Sequence, residues 1–115
     1  MIRPSAKKGD ELGAVAPGLV EMTDRILYNE VWERTELSKR DRSLLTVAAL
    51  MTANRHQQLE AHLGLALDNG VTQEELGEAM LHLAFYASWP ASITASRLLL
   101  NVIQKREAED CQDQK

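Results

Sequence analysis

The chain holds one cysteine, one phenylalanine, two tyrosines and two tryptophans among 115 residues, and it has no apolar run long enough to span a bilayer. A single cysteine excludes an intrachain disulfide, and Cys111, in a charged C-terminal stretch, has no internal redox partner. The longest apolar run, Leu44 to Ala53, is interrupted by Thr46 and Thr52. It falls well short of the roughly 20 residues that a membrane helix needs. The first ten residues, which include Arg3, Lys7, Lys8 and Asp10, lack the apolar core of a secretory signal, so a cytoplasmic protein without membrane contact is expected. Basic charge is also scarce. Thirteen basic against 17 acidic residues give a net charge of −4, the opposite of the footprint that nucleic-acid binding requires.

What is present is helical periodicity with well-marked ends. The length suits one domain with one core. Residues 1–15 mix charge, glycine and proline without a period and read as an arm, residues 16–106 as the helical domain, and residues 107–115 as a charged, frayed tail. Pro17 suits a first helical turn, and Leu19, Met22 and Ile26 follow at helical spacing, so a first helix is expected to about Trp32. Ser38 with Asp41 three residues on predicts the start of a second, mostly buried helix through Leu44, Leu45, Val47, Ala48 and Met51.

A third helix is expected from about Arg55 to Asn69, with Leu59, Leu63, Ala66 and Leu67 as its inner stripe and Gly70 as a left-handed stop. Thr72 and Glu75 form a capping box, and Val71 is placed to staple against Leu76. The fourth helix then turns Leu76, Ala79, Met80, Leu83 and Ala87 inward. Its second half is apolar nearly all round, as a central helix or a subunit contact would be. Trp89-Pro90 breaks the pattern and opens a fifth helix through Leu98, Leu99, Val102 and Ile103. Small residues from Ala87 to Ser96 allow close helix approach, either inside the chain or between subunits. No strand-like alternation appears, and the fold class is all-α with about five to six helices.

Within this frame, Arg55 and His62 are seven residues apart. On a helix they differ by about 20° around the axis and about 10 Å along it. A histidine at the edge of the apolar stripe can donate a proton near neutral pH, and an arginine on the same face can grip a carboxylate. The plainer alternative is a histidine bonded to a backbone carbonyl and an arginine paired with Glu60. His82 lies three and four residues before Phe85 and Tyr86, which stacks it beside a phenol. It either faces the same cleft as His62 or is a satisfied core residue. His56, His62 and His82 form no i, i+4 ligand pair, so no metal is expected. Residues 66–76 also imitate a DNA-reading helix-turn-helix, but the second helix opens on Gln73, Glu74 and Glu75 and carries no basic residue, so phosphates would repel it.

Several segments carry a resemblance: Leu27-Tyr-Asn-Glu-Val-Trp-Glu-Arg34, Leu37-Ser-Lys-Arg-Asp-Arg-Ser-Leu-Leu-Thr-Val-Ala-Ala-Leu50, Arg55 with Leu59 and His62, Asn69-Gly-Val-Thr72, and His82-Leu-Ala-Phe-Tyr-Ala-Ser-Trp-Pro-Ala91. Together they resemble the carboxymuconolactone decarboxylase family, which shares its fold with alkyl hydroperoxidase D. The resemblance implies an all-helical fold, a homotrimer or homohexamer, and a setting in the catabolism of aromatic compounds. In the hydroperoxidase branch, register on His62 puts the two cysteines at Arg55 and Gln58 and a glutamate at Ser43. Without a thiolate, peroxidase activity is not expected. Arginine and histidine at 55 and 62 instead look like the decarboxylase branch, while His82 replaces a usual glutamine and Ser88 and Ser92 replace a usual Gly and Ala.

The implied reaction is cofactor-independent decarboxylation of a small unsaturated lactone acid. Arg55 would bind the substrate carboxylate, His62 would deliver the proton, and His82 or Tyr86 would hydrogen-bond the developing oxyanion. Leu59, Phe85 and Trp89 would form an apolar wall. The other expectation left open is a non-enzymatic, oligomeric ligand-binding module on the same fold.

Overall fold

The computed structural model describes residues 11–113, and among them there is helix and no strand. The elements are α1 (Leu12–Val15), α2 (Pro17–Met22), a π-helix (Thr23–Val31), α3 (Lys39–Thr52), α4 (His56–Asp68), α5 (Gln73–Tyr86) and α6 (Trp89–Asp113). None of these helices is long and apolar enough to cross a membrane.

Each boundary has a local cause. Ser38 has extended angles, and its hydroxyl accepts from the Asp41 amide at 3.0 Å, which starts α3. At the end of α4, Gly70 takes φ +98°, so the Val71 amide donates to the Ala66 carbonyl and the Gly70 amide to the Leu67 carbonyl. That pair of bonds satisfies two orphan carbonyls in a Schellman turn. Two residues later the Thr72 amide donates to Glu75 Oε1 at 2.9 Å and the Glu75 amide to Thr72 Oγ1 at 3.0 Å, completing the capping box of α5. The other Glu75 oxygen pairs with Arg40, which ties α5 to the first turn of α3. Ser88 opens α6 by accepting from the Ala91 amide at 3.1 Å.

The main core lies among α3, α4, α5 and α6. It holds Val47, Met51, Leu59, Leu63, Ala66, Val71, Leu76, Met80, Ala95, Leu99 and Val102. Val71 and Leu76 are both in it, as the staple requires. A smaller cluster forms on the other side of α4, where Tyr28 of the π-helix and Trp32 at its C-cap meet Leu65. α4 is therefore buried on two sides. The serines of α6 are consumed locally: Ser92 Oγ donates to the Met80 carbonyl at 2.7 Å and Ser96 Oγ to the Ser92 carbonyl at 2.8 Å.

Several expectations are corrected. The arm was expected to reach residue 15, but Leu12–Val15 make a helical turn; residues 1–10 lie outside the described residues. The tail expected at 107–115 continues α6 as helix to Asp113, because a charged, Glu-containing sequence does not itself end a helix and no glycine or proline intervenes. α3 is less buried than its composition suggests, with Leu45 59% exposed on the face away from the core. The small residues Ala91, Ser92 and Ala95 are buried inside the chain, where they let α6 approach α5. What α5 and α6 leave exposed is a different set, Leu81, Phe85, Tyr86, Trp89 and Ile93.

Candidate functional site

Arg55 does not lie inside α4. It is the N-cap residue, with φ −94° and ψ 73°, and its carbonyl accepts from the Leu59 amide at 2.8 Å. Its position is set by Asn54, which takes φ +57°, a left-handed conformation that asparagine tolerates better than most side chains. The Arg55 amide then donates back to the Leu50 carbonyl at 2.9 Å and closes the turn from α3. The helical angle between Arg55 and His62 therefore does not fix where the arginine side chain points. Arg55 is exposed, and among the described residues no acid pairs with it. Glu60, its expected partner, pairs with Lys105 at 2.9 Å. The guanidinium is left available to an anion.

His62 stands two turns into α4 and is buried, with 9% exposure. Trp32 stacks on it at 6.4 Å between ring centroids, and Tyr28 stacks on Trp32 at 5.8 Å. The Nδ1 atom is shut off from solvent and has no hydrogen-bond partner, so the expected bond to a carbonyl is not made. An unmet buried nitrogen costs on the order of 1–3 kcal/mol. Burial pushes the His62 pKa below its ordinary value of 6.5, because a dry pocket disfavours the imidazolium. The resting ring is neutral at pH 7, and an anion brought beside it would draw the pKa back up.

His82 is in a different setting. It is exposed on α5, stacks on Tyr86 at 4.7 Å as the i, i+4 spacing predicts, and lines a groove between α3 and α5 of about 630 Å³. The groove has an apolar floor from Leu44, Ala48, Ala79 and Leu83 and an acidic rim from Glu74, Glu75 and Glu78. Such a rim repels a carboxylate. Phe85 and Trp89 meet edge to face at 5.7 Å on the exposed corner between α5 and α6. Leu59, expected in the substrate wall, is 1% exposed and belongs to the core.

Within one chain, then, Arg55 stands at the N-terminus of α4 and His62 two turns further along it, and His82, Tyr86, Phe85 and Trp89 share the far part of α5 and its corner. No hydrogen bond, ion pair or ring contact among the described residues links the two groups. α5 packs chiefly on α6 and α3, and α4 on α3 and α6. No group of three or more histidine, cysteine, aspartate or glutamate side chains among the described residues is gathered as a metal would require. Two residues were not singled out from sequence. Trp32 covers His62, and Arg42 lies half-buried at the start of α3 with an unpartnered Nε. The aromatic pair Tyr28 and Trp32, one helical turn apart in a chain poor in aromatics, was the available signal for the first.

These features have counterparts among known proteins. The chain is 40% identical over 80 residues to a 4-carboxymuconolactone decarboxylase of Acinetobacter baylyi, covering 70% of this chain and 60% of that one. It is 36% identical over 75 residues to a nitrosuccinic acid decarboxylase of Metarhizium robertsii, covering 65% of this chain and 52% of that one. The matched stretch spans a little over half the length of these curated relatives. A profile of the carboxymuconolactone decarboxylase family matches residues 17–101, from the proline that opens α2 to about the middle of α6 and including Arg55, His62 and His82. With that match running over nearly the whole helical domain, the chain belongs to the carboxymuconolactone decarboxylase family.

Proposed function

We propose that this protein is a cytoplasmic, cofactor-independent carboxy-lyase acting on a small unsaturated lactone acid, with Arg55 as the carboxylate ligand and His62 as the proton donor. The observation that carries this reading is the pairing of an unpartnered guanidinium at the mouth of α4 with a buried imidazole whose Nδ1 is unmet two turns further on. Two relatives named as decarboxylases of different acids support the reaction class.

The chemistry follows from these groups. The substrate carboxylate leaves as CO₂, and the electron pair of the broken C–C bond flows into the conjugated lactone carbonyl to give a dienolate. Arg55 holds a carboxylate by charge-assisted hydrogen bonds. The negative charge of the bound acid raises the His62 pKa, the ring takes a proton from water, and that proton passes to carbon in the second half of the reaction. A dry wall around the ring strengthens both interactions.

The assembly in this proposal is a homotrimer or homohexamer. Phe85, Tyr86 and Trp89 are 73%, 78% and 55% exposed in one chain, and burying such rings against a second copy is favourable. Because His82 and Tyr86 stand on that corner, the hydrogen bond assigned to them on the developing oxyanion reaches the site from a neighbouring subunit. The separation of His82 from His62 within one chain is the observation that favours the second reading, a non-enzymatic ligand-binding module. Offering a panel of unsaturated lactone acids and measuring released CO₂ separates the two. Turnover of one acid is expected, whereas saturable binding of these acids without CO₂ would favour the module.

A further inference from the structure

The buried ring of His62 is covered by Trp32, which follows directly on the π-helix. Tyr28 of the π-helix and Trp32 at its C-cap are both buried, and after Trp32 the chain runs through irregular turns to Ser38. Two bonds from α3 hold these turns. Lys39 Nζ pairs with Glu33 at 3.0 Å, with both side chains about half exposed, so solvent and salt screen it. Arg42, itself half-buried, donates from Nη2 to the exposed Arg34 carbonyl at 3.3 Å. That carbonyl lies two residues past the tryptophan that stacks on His62.

Arg42 holds this place at a cost, since its Nε is buried and has no partner. A cationic side chain kept partly out of water with an unmet donor calls for a reason beyond helix stability. Its own helix does not favour Arg42 either, because it sits in the first turn of α3, where the helix dipole disfavours a cation.

We propose that Arg42 is a positioning residue, whose bond to the Arg34 carbonyl seats Trp32 on His62 and keeps water from the imidazole. The inference rests on the assignment of His62 as the proton donor for its functional meaning, but the geometry it describes exists without substrate. Loss of the tether lets the turn at 33–37 swing, Trp32 lifts, and the ring gains water. Among the ionisable groups carried here by the surrounding elements are Tyr28 and Glu30 on the π-helix, Arg42 on α3, Arg55 at the N-cap of α4, and His56 and Glu60 on α4. None of them hydrogen-bonds Nδ1, and burial alone lowers the pKa. Rehydration should therefore move His62 back toward 6.5.

The test is an NMR titration of His62 in substrate-free protein, together with fluorine NMR of fluorotryptophan-labelled protein in which Trp89→Phe assigns the Trp32 signal. In Arg42→Gln the His62 midpoint should rise and the Trp32 signal should shift toward that of a solvated indole. Arg42→Lys should restore part of both, and Glu33→Gln should change neither. A folded Arg42→Gln whose His62 midpoint and Trp32 signal match wild type overturns the proposal. If Arg42→Gln does not fold, Trp32→Leu carries the test, since removing the cover must raise the His62 midpoint by the same logic and an unchanged midpoint overturns it. A wild-type protein that turns over no acid leaves these readouts intact and counts against the decarboxylase reading alone.

Discussion

Trp32 stacks on His62 with ring planes 25° from parallel, so the residue that closes the π-helix covers the one histidine that is buried among the described residues. The contact brings together positions 30 residues apart, and it gives the imidazole a dry environment rather than a hydrogen-bonded one. Much of the protein's dependence on pH should follow from that.

The first consequence concerns stability. The folded-state pKa of His62 lies below its unfolded value of 6.5, so the unfolded chain binds the extra proton in the window between the two. Stability is therefore complete above 6.5 and falls as pH drops from there through the folded-state pKa. Urea unfolding at a series of pH values should show this loss in wild type and a smaller one in His62→Gln. Equal slopes in the two proteins would contradict the burial of a neutral ring.

A second consequence concerns the junction of α4 and α5. Gly70 holds φ +98° with open space where a Cβ would be, so Gly70→Ala strains the backbone without a clash. It should cost about 1–2 kcal/mol, the usual penalty of a left-handed conformation with a side chain. Thr72→Ala removes one cap bond and should cost about 1 kcal/mol. Chemical denaturation measures both, and a neutral Gly70→Ala would show that the Schellman turn is not needed.

The exposed corner makes a third. Phe85→Glu or Trp89→Glu places a charge where a second copy is proposed to pack, so light scattering should report a subunit number divisible by three for wild type and smaller species for the variants. A wild-type protein that is a stable monomer at micromolar concentration would contradict this.

Cys111 is free and exposed on the last turns of α6. It should label rapidly with a thiol reagent without loss of helix signal in circular dichroism, and Cys111→Ser should leave any CO₂ release unchanged. Thiol-dependent peroxide turnover would contradict the expectation that a chain with Arg55 and Gln58 in place of a thiol pair has no peroxidase activity.

The parts of this structure that were legible in the sequence are those fixed within one or two turns. Ser38 with Asp41, Gly70, and Thr72 with Glu75 are local devices, and each appears where its spacing places it. The stack of His82 on Tyr86 is of the same kind. What was not legible depends on how distant segments meet. Leu59 looked equally suited to a core and to a substrate wall until α3 and α6 closed over it. Arg55 left the helix because Asn54 adopts a left-handed conformation, which asparagine permits but does not compel. The second half of α5 is apolar nearly all round, yet within one chain only Met80 and Leu83 turn to the core while Leu81, Phe85 and Tyr86 stay exposed, so composition alone did not distinguish a central helix from a corner.

The most direct test of the central claim is the rate of CO₂ release by His62→Ala, compared with wild type on the acid that the wild type turns over, with folding checked by circular dichroism. If His62 protonates the dienolate, kcat should fall by roughly 10²–10⁴ with little change in KM. Arg55→Ala should chiefly raise KM, with partial recovery in Arg55→Lys, which keeps the charge but not the fork of donors. Full kcat in folded His62→Ala would contradict the assignment of the proton donor.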